Sequence, residues 1–176
     1  MTSTLESDTP EGVAARAEAS DYFNAHVRLE FNIPGVTFGG RYDGSPVIVA
    51  DGSAIPADEP NVYVPTAAPG GRPPHAWLAD GRSLFDTFHR EWTLLALGPT
   101  PPDTAGWEKA AQACGADLKV VRHTVPALLA LYEQPLVLIR PDQIVAWRGD
   151  SDTAAHAVWR QVLGYGRDGL AGASRS

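Results

Sequence analysis

Leu136-Val137-Leu138-Ile139-Arg140-Pro141-Asp142-Gln143-Ile144-Val145-Ala146-Trp147-Arg148 is the stretch from which the rest of the chain can be read. Two apolar runs, Leu136 to Arg140 and Ile144 to Arg148, flank Pro-Asp-Gln. Proline fixes φ and aspartate favours turns, so the spacing predicts a tight antiparallel hairpin. Upstream, Trp92 to Leu97 reads as a short buried strand. Thr104 to Gly115 reads as a helix, with Trp107, Ala111 and Cys114 on one face and Gly115 at its end. Leu118 to Val121 gives another strand, and Val125 to Tyr132 a short helix entered through Pro126. Beyond the hairpin, Asp152 to Leu163 predicts a closing helix capped by Asp152. Ala155, Val158, Trp159 and Val162 form its apolar face, and Gly164 stops it.

From Trp92 onward the order is therefore β-α-β-α-β-β-α. A parallel β-α-β unit followed by a hairpin and a packing helix is the thioredoxin arrangement, an α/β fold. Redox proteins of that fold carry cysteines where the first strand runs into the first helix, because the helix dipole there stabilises a thiolate. Here the junction is Gly98-Pro99-Thr100-Pro101-Pro102-Asp103-Thr104, with no cysteine. The one cysteine, Cys114, falls at the other end of the helix and is expected to be an inert core residue. Thiol–disulfide exchange, internal disulfides and multi-cysteine metal centres are excluded by that count.

The 17 Gly and 15 Pro are unevenly spread, and half of them lie between Ile33 and Arg82. There the runs Val47-Ile48-Val49-Ala50 and Val62-Tyr63-Val64 alternate with Asp43-Gly44-Ser45-Pro46, Asp51-Gly52, Asp58-Glu59-Pro60 and Pro69-Gly70-Gly71. This predicts an extended arm with short strands lying over another surface, since a free linker would be poorer in Tyr, Val and Ile. Before it, Val13, Ala17, Phe23, Val27 and Phe31 are spaced as on a helix, and after it Ser83 and Asp86 read as a capping box. The expected layout is a disordered leader over 1–12, a helix and Gly/Pro-rich arm packed on the core over 13–90, a thioredoxin-like core over 91–166 and a disordered tail over 167–176.

The 176 residues, 44% of them apolar, suit one ordinary domain with a real core. With 14 Lys+Arg against 21 Asp+Glu the net charge is −7, which argues against nucleic acid and anionic membranes as partners. No apolar run nears the ~18 residues of a membrane span, and the first residues lack signal-peptide character, so the expected location is the cytoplasm. His26, His75, His89, His123 and His156 fall in no metal-ligand spacing, so no metal site is expected. Walker, Gly-x-Ser-x-Gly and Gly-x-Gly-x-x-Gly motifs are missing, and Gly39-Gly40 and Gly70-Gly71 are too isolated to cradle a pyrophosphate. No catalytic or cofactor-binding residue is assigned.

Two clusters stand out. Pro69-Gly70-Gly71-Arg72-Pro73-Pro74-His75-Ala76-Trp77-Leu78 joins rigid backbone to Arg, His and Trp, and the hairpin gathers Arg140, Asp142, Trp147 and Arg148. With Tyr42 these give a candidate docking or ligand surface: Tyr42, Arg72, His75, Trp77, Arg140, Asp142, Trp147 and Arg148. Gly70-Gly71-Arg72 could hold an anion through backbone N–H groups and one guanidinium, but a plain turn is the favoured reading. On residue types alone the favoured reading is structural: Asp142 sets the turn, while Arg140 and Arg148 pair with carboxylates or stack on Trp.

These clusters, together with Arg41-Tyr42-Asp43-Gly44-Ser45-Pro46 and Asp80-Gly81-Arg82-Ser83-Leu84-Phe85-Asp86, resemble the C-terminal region of flavin-dependent aromatic-ring hydroxylases. The resemblance runs from about Tyr22 to Gly164, to the phenol and polyketide hydroxylase branch of the para-hydroxybenzoate hydroxylase superfamily. It implies a thioredoxin-like domain without redox cysteines, appended to FAD-binding and substrate domains that lie upstream of the matching region. FAD and NAD(P)H are then implied only for a partner or a full-length homologue, and none is expected on this chain alone.

Three functional expectations follow. The favoured one is a stand-alone, non-catalytic accessory module that docks on a flavin hydroxylase lacking its C-terminal domain or self-associates as a homodimer. Tyr42, Tyr63 and Trp77 of the arm would then make the contact. The second is a fragment or subunit of an FAD/NAD(P)H aromatic hydroxylase that contributes to activity in trans. The third is a small-molecule binder with a pocket near Arg72, His75, Trp77 and Trp147.

Overall fold

Strand β1 (Trp92–Leu97) is buried along its whole length, and that fixes the architecture. Its side chains alternate between two cores. Trp92, Leu94 and Ala96 enter one, Leu95 and Leu97 the other, as a period of two requires for a central strand covered on both faces. Thr93, the polar residue of the run, is reconciled with burial by accepting the His89 amide at 2.8 Å.

The computed structural model describes residues 2–165. It divides into two compact units, residues 1–38 with 58–63 and residues 39–57 with 64–176.

The larger unit holds the sheet. Strand β2 (Leu118–His123) runs parallel to β1, β3 (Leu136–Ile139) runs antiparallel to it, and β4 (Val145–Gly149) pairs with β3, giving the order β2-β1-β3-β4. Three helices flank the sheet: α5 (Ala105–Ala113), α6 (Pro126–Tyr132) and α7 (Ala155–Val162). The β-α-β-α-β-β-α thioredoxin-like order read from the sequence is what forms. Trp107, Ala110 and Ala111 of α5 and Val158, Trp159 and Val162 of α7 fill one face. There the Trp92 and Trp159 rings meet edge-on at 5.0 Å. Leu128 and Tyr132 of α6 fill the other face with Leu84, and the Tyr132 hydroxyl donates to the Pro74 carbonyl at 2.9 Å.

The hairpin forms with one refinement. Gln143 takes the left-handed conformation (φ 62°), and the pairing shifts between Leu138 and Ile139. This is the three-residue hairpin loop, in which the last loop residue takes positive φ. The expected Asp152 cap does not form. Helix α7 begins after Ala154 with no side-chain cap, and the Asp152 carboxylate lies against Gly106 at the start of α5. The Ser83/Asp86 capping box is present, on a single 3-10 turn, Leu84–Thr87.

Much of the arm belongs to this unit and covers the outer edge of β4. The Val49 amide donates to Ala146, Gly70 to Val145, and the Val145 amide to Gly71, at 2.8 to 3.0 Å. An edge strand left open would offer these groups to another chain. The arm makes no continuous strand among the described residues; its own isolated bridges join Arg41 to Gly71 and Trp77 to Ser83. Gly70 needs its own residue type, because its φ is +95°.

The smaller unit is helical: α1 (Thr2–Leu5), α2 (Pro10–Tyr22), a π turn over Phe23–Val27, α3 (Arg28–Phe31) and α4 (Pro34–Phe38). Helical structure thus begins inside the expected leader. Thr9 caps α2 by accepting the Gly12 amide, and Pro10 occupies the first turn, where its missing N–H costs nothing. Helix α4 was not foreseen within the arm. It is held to residues 58–63 by the Gly35 amide bonding Pro60 O at 2.9 Å, an approach so close that a Cβ on Gly35 would collide with the Glu59 carbonyl. Asn61 donates to the Leu29 and Asn32 carbonyls, at 2.7 and 2.8 Å. The expected tail over 167–176 lies outside the described residues.

Candidate functional site

In the thioredoxin arrangement the reactive position is the start of the first helix, here α5. Thr104 is its N-cap residue and is buried. The Thr104 hydroxyl accepts from the Arg122 guanidinium and donates to Glu108 Oε1 at 3.3 Å. A Thr–Arg–Glu chain therefore fills the position where the fold would otherwise present a thiolate. Cys114 sits at the far end of α5, at the margin of the Trp107 core, partly and not fully buried as a core residue would be.

The hairpin tip carries the second feature. Asp142 accepts both arms of the Arg140 guanidinium at 3.1 Å, and that guanidinium lies 5.3 Å from the centre of the Tyr42 ring. The next residue, Gln143, accepts from Arg72 Nη2 at 3.2 Å. The Arg72 guanidinium rests over the Phe85 ring, 5.5 Å from its centre. Phe85 meets His75 edge-on at 5.4 Å, and His75 meets Trp77 edge-on at 4.8 Å. Six of the eight residues singled out in the sequence, Tyr42, Arg72, His75, Trp77, Arg140 and Asp142, thus form one string of stacked and bonded groups. Trp77 ends it 73% exposed. Phe85 and Gln143 complete the string and were not singled out. The one local signal for Gln143 was its place as the last residue of a three-residue loop.

Trp147 and Arg148 do not join them. The Trp147 ring packs on Trp107 at 4.5 Å beside the α5/α7 core. Arg148 is buried and points to the α6 side. There it donates to Asp51 Oδ2 at 2.6 Å, Glu133 Oε2 at 2.8 Å and the Tyr132 carbonyl at 3.2 Å. For these two residues the structural reading holds, with carboxylates as the partners of Arg148. Burial raises the Asp51 carboxyl, but its hydrogen bonds from Ser53 and Arg148 and the Arg148 charge together hold it below the usual aspartate range.

The anion-binding reading of Gly70-Gly71-Arg72 fails on the backbone. The Gly70 amide donates to Val145, Gly71 to Ala68 and Arg72 to Gly40, which leaves none of the three amides for a phosphate. His75 Nε2 and Ser83 Oγ are 2.9 Å apart, the spacing of a base and a nucleophile. Ser83 Oγ, however, already accepts the Phe85 amide as a helix cap, and the His75 ring lies between Trp77 and Phe85. This arrangement is suited to recognition, with Arg and aromatic faces on the surface.

At the C-terminal end of β2, His123 Nε2 is buried with no hydrogen-bond partner among the described residues. Burial is the main cause that lowers the His123 pKa. The Arg82 charge adds to it and Asp80 opposes it.

The family model "Aromatic-ring hydroxylase, C-terminal" matches residues 66–165, more than half of the sequence and all of the string except Tyr42. The chain belongs to the aromatic-ring hydroxylase C-terminal family. Phenol 2-monooxygenase of Pseudomonas sp. is 32% identical over 167 residues, covering 84% of this chain and 27% of that enzyme. Aklavinone 12-hydroxylase RdmE of Streptomyces purpurascens is 37% identical over 153 residues, covering 74% and 27%. The solved structure of the rebeccamycin biosynthetic enzyme RebC with reduced flavin superposes with a TM-score of 0.73 at 33% identity, over 92% of this chain and 30% of that one. This aromatic-ring hydroxylase domain therefore spans 27–30% of the length of these three relatives. No helix among its described residues is long and apolar enough to cross a membrane.

Proposed function

We propose that this domain is a non-catalytic docking module of an FAD-dependent aromatic-ring monooxygenase system. The observation that carries the reading is the Arg140–Tyr42 and Arg72–Phe85–His75–Trp77 string. It is rich in the residue types that dominate interface energetics, and it ends in a largely exposed tryptophan. The closed start of α5 and the internally bonded Gly70 and Gly71 amides supply no nucleophile and no pyrophosphate cradle, so the residues present do not fit FAD. Flavin and nicotinamide belong, on this reading, to the hydroxylase body that the chain does not span.

The reading in which the chain contributes in trans to an active site on that body shares this docking step and differs only in its outcome. The small-molecule pocket has less support, because Trp147 packs with Trp107 and not with Arg72, His75 and Trp77.

The test is to add FAD to the purified protein and record its spectrum, then to run size exclusion with an FAD-loaded aromatic hydroxylase lacking its C-terminal region. The expected outcome is no flavin on the chain alone and co-elution with the flavoprotein. Flavin retained by the chain alone, or a strict monomer indifferent to the flavoprotein, would overturn the proposal.

A further inference from the structure

The smaller unit has almost no core of its own. In α2 only Gly12 is buried, and neither the π turn nor α3 buries any residue. The large apolar side chains of this unit face solvent instead: Phe31 is 79% exposed, Phe23 57% and Leu29 51%, with Val13 and Tyr22 similarly open. Leu5, Ala15, Ala19, Tyr22 and Phe23 line an open groove of about 560 Å³. Short helices gain most of their stability from burying an apolar face, and here that face is bare.

Two observations identify what covers it. The match to the family model begins at residue 66, so the whole smaller unit, residues 1–38 and 58–63, lies before it. The RebC match nevertheless covers 92% of this chain, which is too much to leave residues 1–38 out, and it leaves 70% of RebC uncovered. Part of residues 1–38 therefore has a counterpart in a flavoprotein, in a chain whose greater part has no counterpart here. Charge argues against a second copy as the occupant. Residues 1–38 and 58–63 hold eight Asp and Glu (among them Glu18, Asp21 and Glu30) against Arg16 and Arg28, so two such surfaces would repel each other.

We infer that the smaller unit is the seat of the hydroxylase's flavin-bearing body. The body's apolar, basic-rimmed surface would cover Phe23, Leu29 and Phe31 and fill the Leu5–Tyr22 groove. This rests on the docking reading above and adds the helices as a second, larger anchor beside the Trp77 string.

The experiment mixes the intact 176-residue chain with FAD-loaded RebC cut back to the part this chain does not match. Sedimentation is followed through the flavin absorbance. Phe23→Ser with Phe31→Ser should weaken binding about tenfold or more, Trp77→Ala by a smaller factor, and added salt should weaken binding further. Both phenylalanines are exposed, so the variants should keep their helical circular dichroism, and Leu29→Ser provides an independent variant of the same face.

Binding that ignores the helix variants but is lost in Trp77→Ala overturns this inference and leaves docking in place. No binding by the wild-type chain, either to the trimmed body or when fused to it in place of RebC's own matching part, overturns both. Self-association of the chain that the two serines relieve assigns the face to a second copy, and also overturns the inference.

Discussion

Arg148 Nε bonds Asp51 Oδ2 at 2.6 Å across 97 positions of sequence, tying the outermost strand β4 to the arm that covers it. The same guanidinium reaches Glu133 and the Tyr132 carbonyl, so one buried cation joins the arm, β4 and the end of α6. Breaking such a link is costlier than its exposed counterparts, because the cation left behind stays buried. Asp51→Ala should destabilise by about 1.5–3 kcal/mol, the range for a hydrogen bond to a charged group. Glu133→Ala, on a largely exposed partner, should cost less than about 1 kcal/mol. Denaturant melts of the two variants check the order, and equal costs would contradict it.

Acid should release the same link. The folded Asp51 carboxyl titrates below its unfolded value of about 3.9, so its contribution is complete above that value and is lost as pH falls through the lower, folded one. In Asp51→Asn that component is missing. The stability difference between wild type and variant should therefore shrink as pH drops below about 4, measured by urea unfolding across pH 2.5 to 6.

His123 works at a higher pH and in the same direction. Burial favours its neutral form in the folded state, so the unfolded chain binds the proton first. Stability should begin to fall as pH drops below the unfolded value of about 6.5, and His123→Gln should flatten that slope. Thermal melts between pH 5 and 8 decide it. An equal slope in wild type and variant would place the proton elsewhere.

Gly35→Ala tests the helical unit by itself. The new Cβ meets backbone, which cannot swing aside, so overpacking of about 1–3 kcal/mol is expected. Hydrogen exchange should accelerate in residues 58–63, whose Pro60 carbonyl and Asn61 side chain hold that unit together, while the amides of β1 stay protected.

Trp159→Ala removes a ring that touches Trp92 at 5.0 Å and whose Nε1 donates to the Trp107 carbonyl at 3.3 Å. A loss of about 3–5 kcal/mol is expected from the cavity. Cys114, on the margin of the same core, should become more reactive to thiol reagents as that face loosens.

From Trp92 to Val162 local pattern and fold agree closely. Trp92–Leu97, Trp107/Ala111 and Val158/Trp159/Val162 each carry the period of the element they form, and Gly115 stops its helix where a positive φ is needed. The missing cysteine at Gly98–Thr104 was equally plain, because it depends on residue identity and not on geometry. Asp152 misled, since a capping residue is a local signal and its carboxylate found a place beside Gly106, 46 residues away in the chain. Asp51 and Glu133 gave no signal as partners of Arg148, because nothing local distinguishes a carboxylate that will meet a distant guanidinium.

The linear order of residues was enough to set the β-α-β-α-β-β-α path and the turn chemistry, which follow from periods of a few residues, and the absence of a cysteine at the start of α5, which follows from residue identity. Folding in three dimensions assigned the partners. It placed the arm on the β4 edge, separated Trp147 and Arg148 from the Tyr42–Trp77 string, and left Phe23 and Phe31 uncovered on a helix whose spacing looked like that of any buried one. Periodicity shows that a helix has an apolar face, while only the long-range contacts show whether this chain contains the surface that covers it.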